Sequence, residues 1–333
     1  MKNSIKIFIT MLFILVGTGI LFASDITIEA SKQNIDAEKN LTTFEGGVKV
    51  QTDNITIRSP KAFVNMGKDG KAEKVTFVNG ANIVQINDDS KNTVKANIIK
   101  LSLITKKVEA DGNVESIVEQ TAKPTAKITA DKQSFNINTN IMQADGKVII
   151  TYDNIKTSSN SAKIKVAEGG SLEKVKLIGN AKIVQDNTVI DGDNLIFNPK
   201  TMELTAIGNT FSKSTLRDNT QVSIWGDYQQ FEKQSSSLLT SGNVKIIYKD
   251  YTATGPKATI LPSKNTDKPN RIVFLGRSKI QQQTRIVEAD RIEITMNPKN
   301  FNAEGNVKTR LTNVAPLKKT PGAKTTEVKD KDL

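Results

Sequence analysis

One short phrase recurs along this chain and limits what it can fold into. It reads: a small or apolar residue, any residue, Gly, any residue, a small or apolar residue. It is clearest at Ala110-Asp111-Gly112-Asn113-Val114, Ala144-Asp145-Gly146-Lys147-Val148 and Ala303-Glu304-Gly305-Asn306-Val307. Looser copies centre on Gly46, Gly179, Gly208, Gly242 and Gly276, and one more, Phe77-Val78-Asn79-Gly80-Ala81, has its Gly one place late. The nine centres, with Asn79 standing for the displaced copy, are 33, 33, 34, 33, 29, 34, 34 and 29 residues apart. A fixed period in this range marks a repeat architecture.

The copies fall into three classes that return in order. The first class covers 48–62, 148–164 and 244–260; the second, 73–85, 173–185 and 270–282; the third, 94–112, 190–208 and 287–305. Val48, Val148 and Val244 are 100 and 96 apart, and Gly112, Gly208 and Gly305 are 96 and 97 apart. The chain therefore reads as three tandem super-repeats, at about 25–125, 126–222 and 223–313, each of three sub-units.

Within each sub-unit the pattern alternates with period two. Phe44, Gly46, Val48 and Val50 fall on one face and Glu45, Lys49 and Gln51 on the other; Val108, Ala110, Gly112 and Val114 repeat this, as do Leu238, Thr240, Gly242, Val244 and Ile246. Alternation describes strands with one buried and one wet face. Helical repeats need apolar residues three and four apart, a pattern that does not occur here. Turn signals such as Asp53-Asn54, Asp153-Asn154, Asn198-Pro199-Lys200 and Asn297-Pro298-Lys299 separate the strands. At roughly 8–10 residues per strand and turn, about 30 short strands are expected over the body. Gly inside a strand marks a bulge or a sharp corner, so a column of glycines predicts that every layer bends at one place, giving two facing sheets.

The ends differ from the body. Lys2 and Lys6, the apolar run Ile7 to Phe22 and the switch at Ala23-Ser24-Asp25 have the layout of a secretory signal over 1–23, with an uncleaved anchor as the alternative. Residues 314–333, rich in Lys, Thr, Asp and Glu, read as a disordered basic tail.

The chain has no His and no Cys, so the usual bases, nucleophiles and transition-metal ligands are missing. Neither a catalytic constellation nor a metal or cofactor site is expected. Asp111, Asp145 and Glu304 stand at outward positions of the phrase, where they solubilise a turn. The net charge is +12 and aromatics make up 5%. Nucleic-acid binding needs aromatics to stack bases beside a concentrated basic face, so a nucleic-acid partner is not expected. A basic surface suits an anionic amphiphile or protein.

The phrase Thr43-Phe44-Glu45-Gly46-Gly47-Val48-Lys49-Val50, followed by Asn54-Ile55-Thr56-Ile57 and Ser59-Pro60-Lys61-Ala62, resembles the OstA-type repeat. Ser31-Lys32-Gln33-Asn34-Ile35-Asp36 is similar to that family's opening strand, and 287–307 resembles it again. The repeat characterises the periplasmic lipopolysaccharide-transport protein LptA and the periplasmic domain of its outer-membrane partner LptD. The resemblance covers nearly all of 25–313. It implies an all-β, elongated β-jellyroll of two facing sheets, open along a hydrophobic slot. It also implies a periplasmic, non-catalytic bridge whose slot carries the acyl chains of lipopolysaccharide or a similar envelope lipid. The partners implied are an inner-membrane transporter component, an outer-membrane translocon and further copies joined head to tail. Three super-repeats are more than the usual member has; about 15 layers give a rod of roughly 70 Å.

From alternation, the groove candidates are Phe44, Val48, Val50, Phe77, Val108, Val114, Ala144 and Val148, continued by Ile150, Leu177, Ile183, Val244, Ile246, Phe274, Ile280 and Val307. Two other readings stay open: an envelope scaffold built by strand-edge pairing, and a parallel β-solenoid that binds polysaccharide.

Overall fold

A computed structural model describes residues 27–312 apart from 52–53, 89, 122–124, 137, 167–171, 199–200, 202, 216–218, 233–234, 264–265 and 297. The expected signal segment, 1–23, and the expected tail, 314–333, lie outside the described residues. Among these there are 22 strands and no helix.

The first third holds β1 (Thr27–Glu29), β2 (Lys32–Asp36), β3 (Leu41–Gln51), β4 (Ile55–Met66), β5 (Ala72–Val78), β6 (Ala81–Ile86), β7 (Ser90–Ala96), β8 (Ile98–Ser102) and β9 (Lys107–Gln120). Next come β10 (Ala126–Asn136), β11 (Ile141–Tyr152), β12 (Ile155–Val166), β13 (Leu172–Gln185), β14 (Thr188–Asn198) and β15 (Glu203–Thr215). The last third holds β16 (Gln221–Glu232), β17 (Ser237–Tyr248), β18 (Tyr251–Ser263), β19 (Thr266–Gln282), β20 (Arg285–Met296), β21 (Lys299–Glu304) and β22 (Lys308–Leu311). From β9 to β20 each strand pairs antiparallel with the next in sequence. Every described ladder is antiparallel, which removes the parallel-solenoid reading. All 22 strands join one hydrogen-bonded sheet.

The count falls short of the expected 30 because the strands are long. The strand-plus-turn estimate of roughly 8–10 residues takes the two sides of a corner as separate strands. Instead the chain passes through the corner and re-enters the same ladder. Gly112 and Asn113 take φ of 81° and 49°, Gly146 and Lys147 80° and 50°, and Gly242 and Asn243 73° and 50°. Two successive left-handed residues turn the strand while its ladders slip: between Asp145 and Val148 on one side, and between Ser241 and Val244 one super-repeat on. The misplaced copy solves the same problem in reverse order, with Asn79 at 64° and Gly80 at 94°. There the chain does break, into β5 and β6, which both pair with β4. Asn tolerates this left-handed region better than most residues, and Gly enters it freely.

The partner strand carries a fixed neighbour for each corner. A Cβ on Gly112 would run into the side chain of Asn97, on Gly146 into Asp131, on Gly208 into Asp193, on Gly242 into Asp227 and on Gly305 into Asp290. The residue after the glycine then ties to that side chain: Asn243 Nδ2 donates to Asp227 Oδ2 at 3.0 Å, and Asn306 Nδ2 to Asp290 Oδ2 at 2.7 Å. The corner thus demands Gly twice, for φ and for space.

These corners stack into a crease along the whole sheet. Inward positions on both sides of it share one face: Val108 and Ala110 before Gly112, and Val114, Ser116 and Val118 after it, are all buried. With no helix or second sheet to cover that face, only the other limb of the same sheet can bury it. Buried residues of both limbs do lie in one apolar cluster. The two expected sheets are therefore two limbs of one continuous sheet, folded into a β-jellyroll. A row of eighteen paired inward positions runs from Gln33 through Phe77, Ala144 and Phe274 to Ala303, so the stack is about 80 Å long at ~4.8 Å per strand.

Candidate functional site

The inward face consists of rows parallel to the crease. Immediately after the corner every residue is small: Val48, Ser59, Ala81, Ala96, Val114 and Ala130 begin the row, and Gly192, Thr210 and Gly226 continue it. On the other limb, the row beside the corner mixes small side chains such as Ala62, Ala110, Ala144 and Ala258 with large ones, and Phe77, Ile99, Leu195, Phe274 and Ile292 are under 2% exposed. Small residues let the limbs close and large ones fill the angle, so the crease is a sealed apolar core.

The next rows out are also apolar. On one limb they include Val64, Phe135, Met142, Phe197, Leu204 and Phe231; on the other, Ile57, Ile128, Ile150, Ile183, Ile190 and Ile224. Exposure of these rows is uneven. From β2 to β12 most of them are buried, whereas between β13 and β17 Ile183, Ile190, Phe197, Leu204, Phe231 and Leu238 are only half-buried. The same stretch separates two core clusters, the first ending at Leu195 and Ala206 and the second beginning at Ile224. Gln185, Thr188 and Ser214 form a polar lip there, with Thr188 and Ser214 hydroxyls 3.0 Å apart. In the middle of the stack the inward rows are thus less covered than on either side, forming a trough of half-buried apolar side chains.

Of the groove candidates, Val48, Phe77, Val114, Ala144, Val148, Leu177, Val244 and Phe274 lie in the two crease rows and are at most 2% exposed. Val108, Ile150, Ile246 and Ile280 lie one row out and are buried. Phe44, Val50 and Ile183 are half-buried against the core, and Val307 is 51% exposed at the C-terminal edge. All sixteen face inward. Sequence reasoning missed most of the open trough. Leu204 was accessible to it, since it stands four residues before Gly208 in the same alternation. Phe197 and Phe231 sit on strands without a phrase glycine, so only their pairing with Leu204 fixes their face.

Polar groups inside the fold hold position rather than react. Ser116 Oγ donates to Gln133 Oε1 at 2.5 Å, and Gln133 Nε2 donates to the Ile128 carbonyl at 3.3 Å. Gln229, 96 residues on, repeats the device with the Ile224 carbonyl at 3.1 Å. Thr157 Oγ1 and Thr240 Oγ1 are buried with no hydrogen-bond partner. On the outer face, the Lys127 ammonium hydrogen-bonds Glu115 across β9 and β10 and holds that carboxyl below the usual carboxylate range. Lys107 does the same to Glu109. Among the described residues no group of His, Cys, Asp or Glu could hold a metal ion.

The edges are open. β1 and β2 pair only with β3, and β21 and β22 only with β20, among the described residues. Ile28 and Ile35 at one end and Val307 and Leu311 at the other are inward-facing yet 39%, 67%, 51% and 58% exposed.

Comparison with known proteins adds a family. Residues 27–121 match the model of the family described as "LptA/(LptD N-terminal domain) LPS transport protein". No curated protein sequence matches the chain. Among solved structures, the crystal structure of LptH, described as the LptA homologous periplasmic component of the conserved lipopolysaccharide transport device from Pseudomonas aeruginosa, is similar at 15% identity. That match covers 39% of this chain and 95% of the other, with a TM-score of 0.34, which is too low to carry a structural argument. Over β1 to β9, then, the chain is similar to the LptA/LptD N-terminal lipopolysaccharide-transport family, as the repeat phrase at 43–62 indicated.

Proposed function

We propose that this protein is a periplasmic lipid-binding bridge: acyl chains of lipopolysaccharide, or of a similar acylated envelope lipid, lie between its limbs on the way from the inner to the outer membrane. The observation that carries this reading is the half-open apolar trough at β13–β17, continuous with inward apolar rows that run the length of the stack. Contiguous apolar surface left open in this way marks a ligand or partner site. The family match over 27–121 names the cargo class. The crease row, with Val48, Val148 and Val244, serves as floor, and the outer rows, with Ile183, Ile190, Phe197 and Leu204, touch the chains. The remaining partners are an inner-membrane transporter component at one end and an outer-membrane translocon at the other.

Self-association follows the internal joints. The sequence repeat makes the β9–β10 and β15–β16 joints copies of the contact that β21 and β22 would make with β1 and β2 of a second copy. At β9–β10, Asp111 faces Lys132 and Val108 faces Phe135. Shifted by the repeat, Glu304 would face Lys32 and Phe301 would face Ile35. Lys308 would face Glu29. Charges complement and the exposed Ile28, Ile35, Val307 and Leu311 become covered. Such a contact is heterologous and builds open rods.

The test is a photo-crosslinking side chain at Ile183, inward, and at its neighbour Lys182, outward, in protein made in the native envelope, with lipids identified by mass spectrometry. Acylated lipid crosslinked at Ile183 and not at Lys182 is the expected outcome. No lipid at either position, together with lipid-free purified protein, leaves a structural rod.

A further inference from the structure

The outer face of the same stretch breaks the rule that outward positions are polar. Two adjacent outward rows cross β12 to β17 here. One runs Lys156, Val184, Val189, Lys213, Ser223 and Ile247; the other, Lys182, Asp191, Phe211, Trp225 and Lys245. Val184, Val189, Phe211, Trp225 and Ile247 are half-exposed. The Phe211 and Trp225 rings are 5.0 Å apart at 39°, and the Lys245 ammonium stands 5.3 Å over the indole. Lys156, Lys182 and Lys245 are exposed and Lys213 is half-exposed. Asp191, the single acidic residue in the two rows, pairs with Lys182 at 3.6 Å.

The fold does not require this patch, and the repeats supply the control. One super-repeat earlier, the places of Phe211 and Trp225 hold Glu115 and Thr129, which pair in the same way across β9 and β10. One super-repeat later, the place of Phe211 holds Lys308. The aromatic pair is therefore an addition to one joint, on the side away from the groove.

We propose that this patch seats the rod sideways on an anionic lipid bilayer surface. An indole stacked on a phenyl ring, with aliphatic residues beside it and cations around it, is the side-chain set that settles at a bilayer interface: rings at headgroup depth, ammonium groups on the phosphates. The patch spans six strands, about 24 Å across one sheet face. Its four lysines against one aspartate complement a negative surface. Seated there, the rod turns its groove side away from the bilayer and keeps both stack ends free.

Trp225 is the chain's single tryptophan, so its own emission reports the event. The full chain is titrated with phosphatidylglycerol vesicles and, separately, with phosphatidylcholine vesicles. The expected result is a blue shift of the emission with the anionic vesicles, none with the zwitterionic ones, and reversal in 0.5 M salt, where the Debye length is roughly half the physiological one. Lys156→Glu with Lys213→Glu, neither of which touches the indole, should weaken vesicle affinity at least about tenfold. Circular dichroism and copurifying lipid should stay unchanged in that variant. Three outcomes overturn the proposal: no shift with anionic vesicles, a shift indifferent to the double charge reversal, or sedimentation with vesicles while the emission stays put. The last would mean attachment elsewhere, such as through the apolar N-terminal segment. An emission that responds only to a protein partner would make the patch a protein-docking face and equally overturn it.

Discussion

At the scale of single residues, the corner glycines show two costs that can be separated. Gly47 has φ of 85° and open space around its missing Cβ, whereas Gly146 has φ of 80° and the Asp131 side chain in the way. Left-handed backbone alone costs an L-residue about 1–2 kcal/mol. Gly47→Ala should lose about that much in urea denaturation, and Gly146→Ala clearly more. Equal losses would show that the Asp131 contact relaxes freely. Glu115 provides a pH test. Its carboxyl is held low, first by the hydrogen bond from Lys127, so its contribution is full above the ordinary unfolded value of about 4.3 and is lost as pH falls through the lower folded value. Glu115→Gln should therefore be less stable than the parent at neutral pH and converge with it as pH falls through the carboxyl's lowered folded value, read from thermal midpoints across an acid titration.

At the scale of elements, long strands hinged in the middle explain the repeat length. Two strands of about a dozen residues and two short turns fill one period of about 33, so each sub-unit is one hinged hairpin rather than four short strands. A hairpin of this kind has no core of its own and is stable only against neighbours. The open ends follow from the same logic. A proline at Ile28 or at Lys308 removes an edge donor and should shift the protein toward monomer in concentration-dependent light scattering. Association unchanged in both variants counts against the proposed joint.

At the scale of the whole molecule, stability is a sum over hairpins and the joints between them. Deleting 147–242 joins Gly146 to Asn243, so the first residue of the β11 corner is followed by the second residue of the equivalent β17 corner. The shortened chain should keep its β signal and lose about a third of its length by small-angle scattering. Deleting 147–163 instead removes the far limb of β11 and most of β12, leaving β13 without its partner; it should unfold far more of the chain. If the two deletions behave alike, the super-repeat does not describe the molecule. The trough has its own test. Val148→Asp puts a carboxylate into the sealed crease, where an unpaired charge is costly, and should unfold the protein. Ile183→Asp lies where water already reaches, so it should leave the fold intact and displace lipid.

The sequence by itself determined the class of structure, because alternation with period two and a glycine of fixed phase are local properties. Inward and outward faces and the column of corners could be read from Val48, Val148, Val244 and their neighbours. Only the tertiary structure decided how the strands pass the corners, since two left-handed residues in succession can end a strand or bend it, and the choice rests on whether the ladders resume beyond. It alone separated the sealed crease from the open trough. Val148 and Ile183 look alike in alternation; Val148 is buried and Ile183 half-buried, a difference that depends on how the two limbs cover each row and not on the local pattern. The outer patch was hidden for the same reason: Phe211 and Trp225 are fourteen residues apart, and only antiparallel pairing across one joint stacks them.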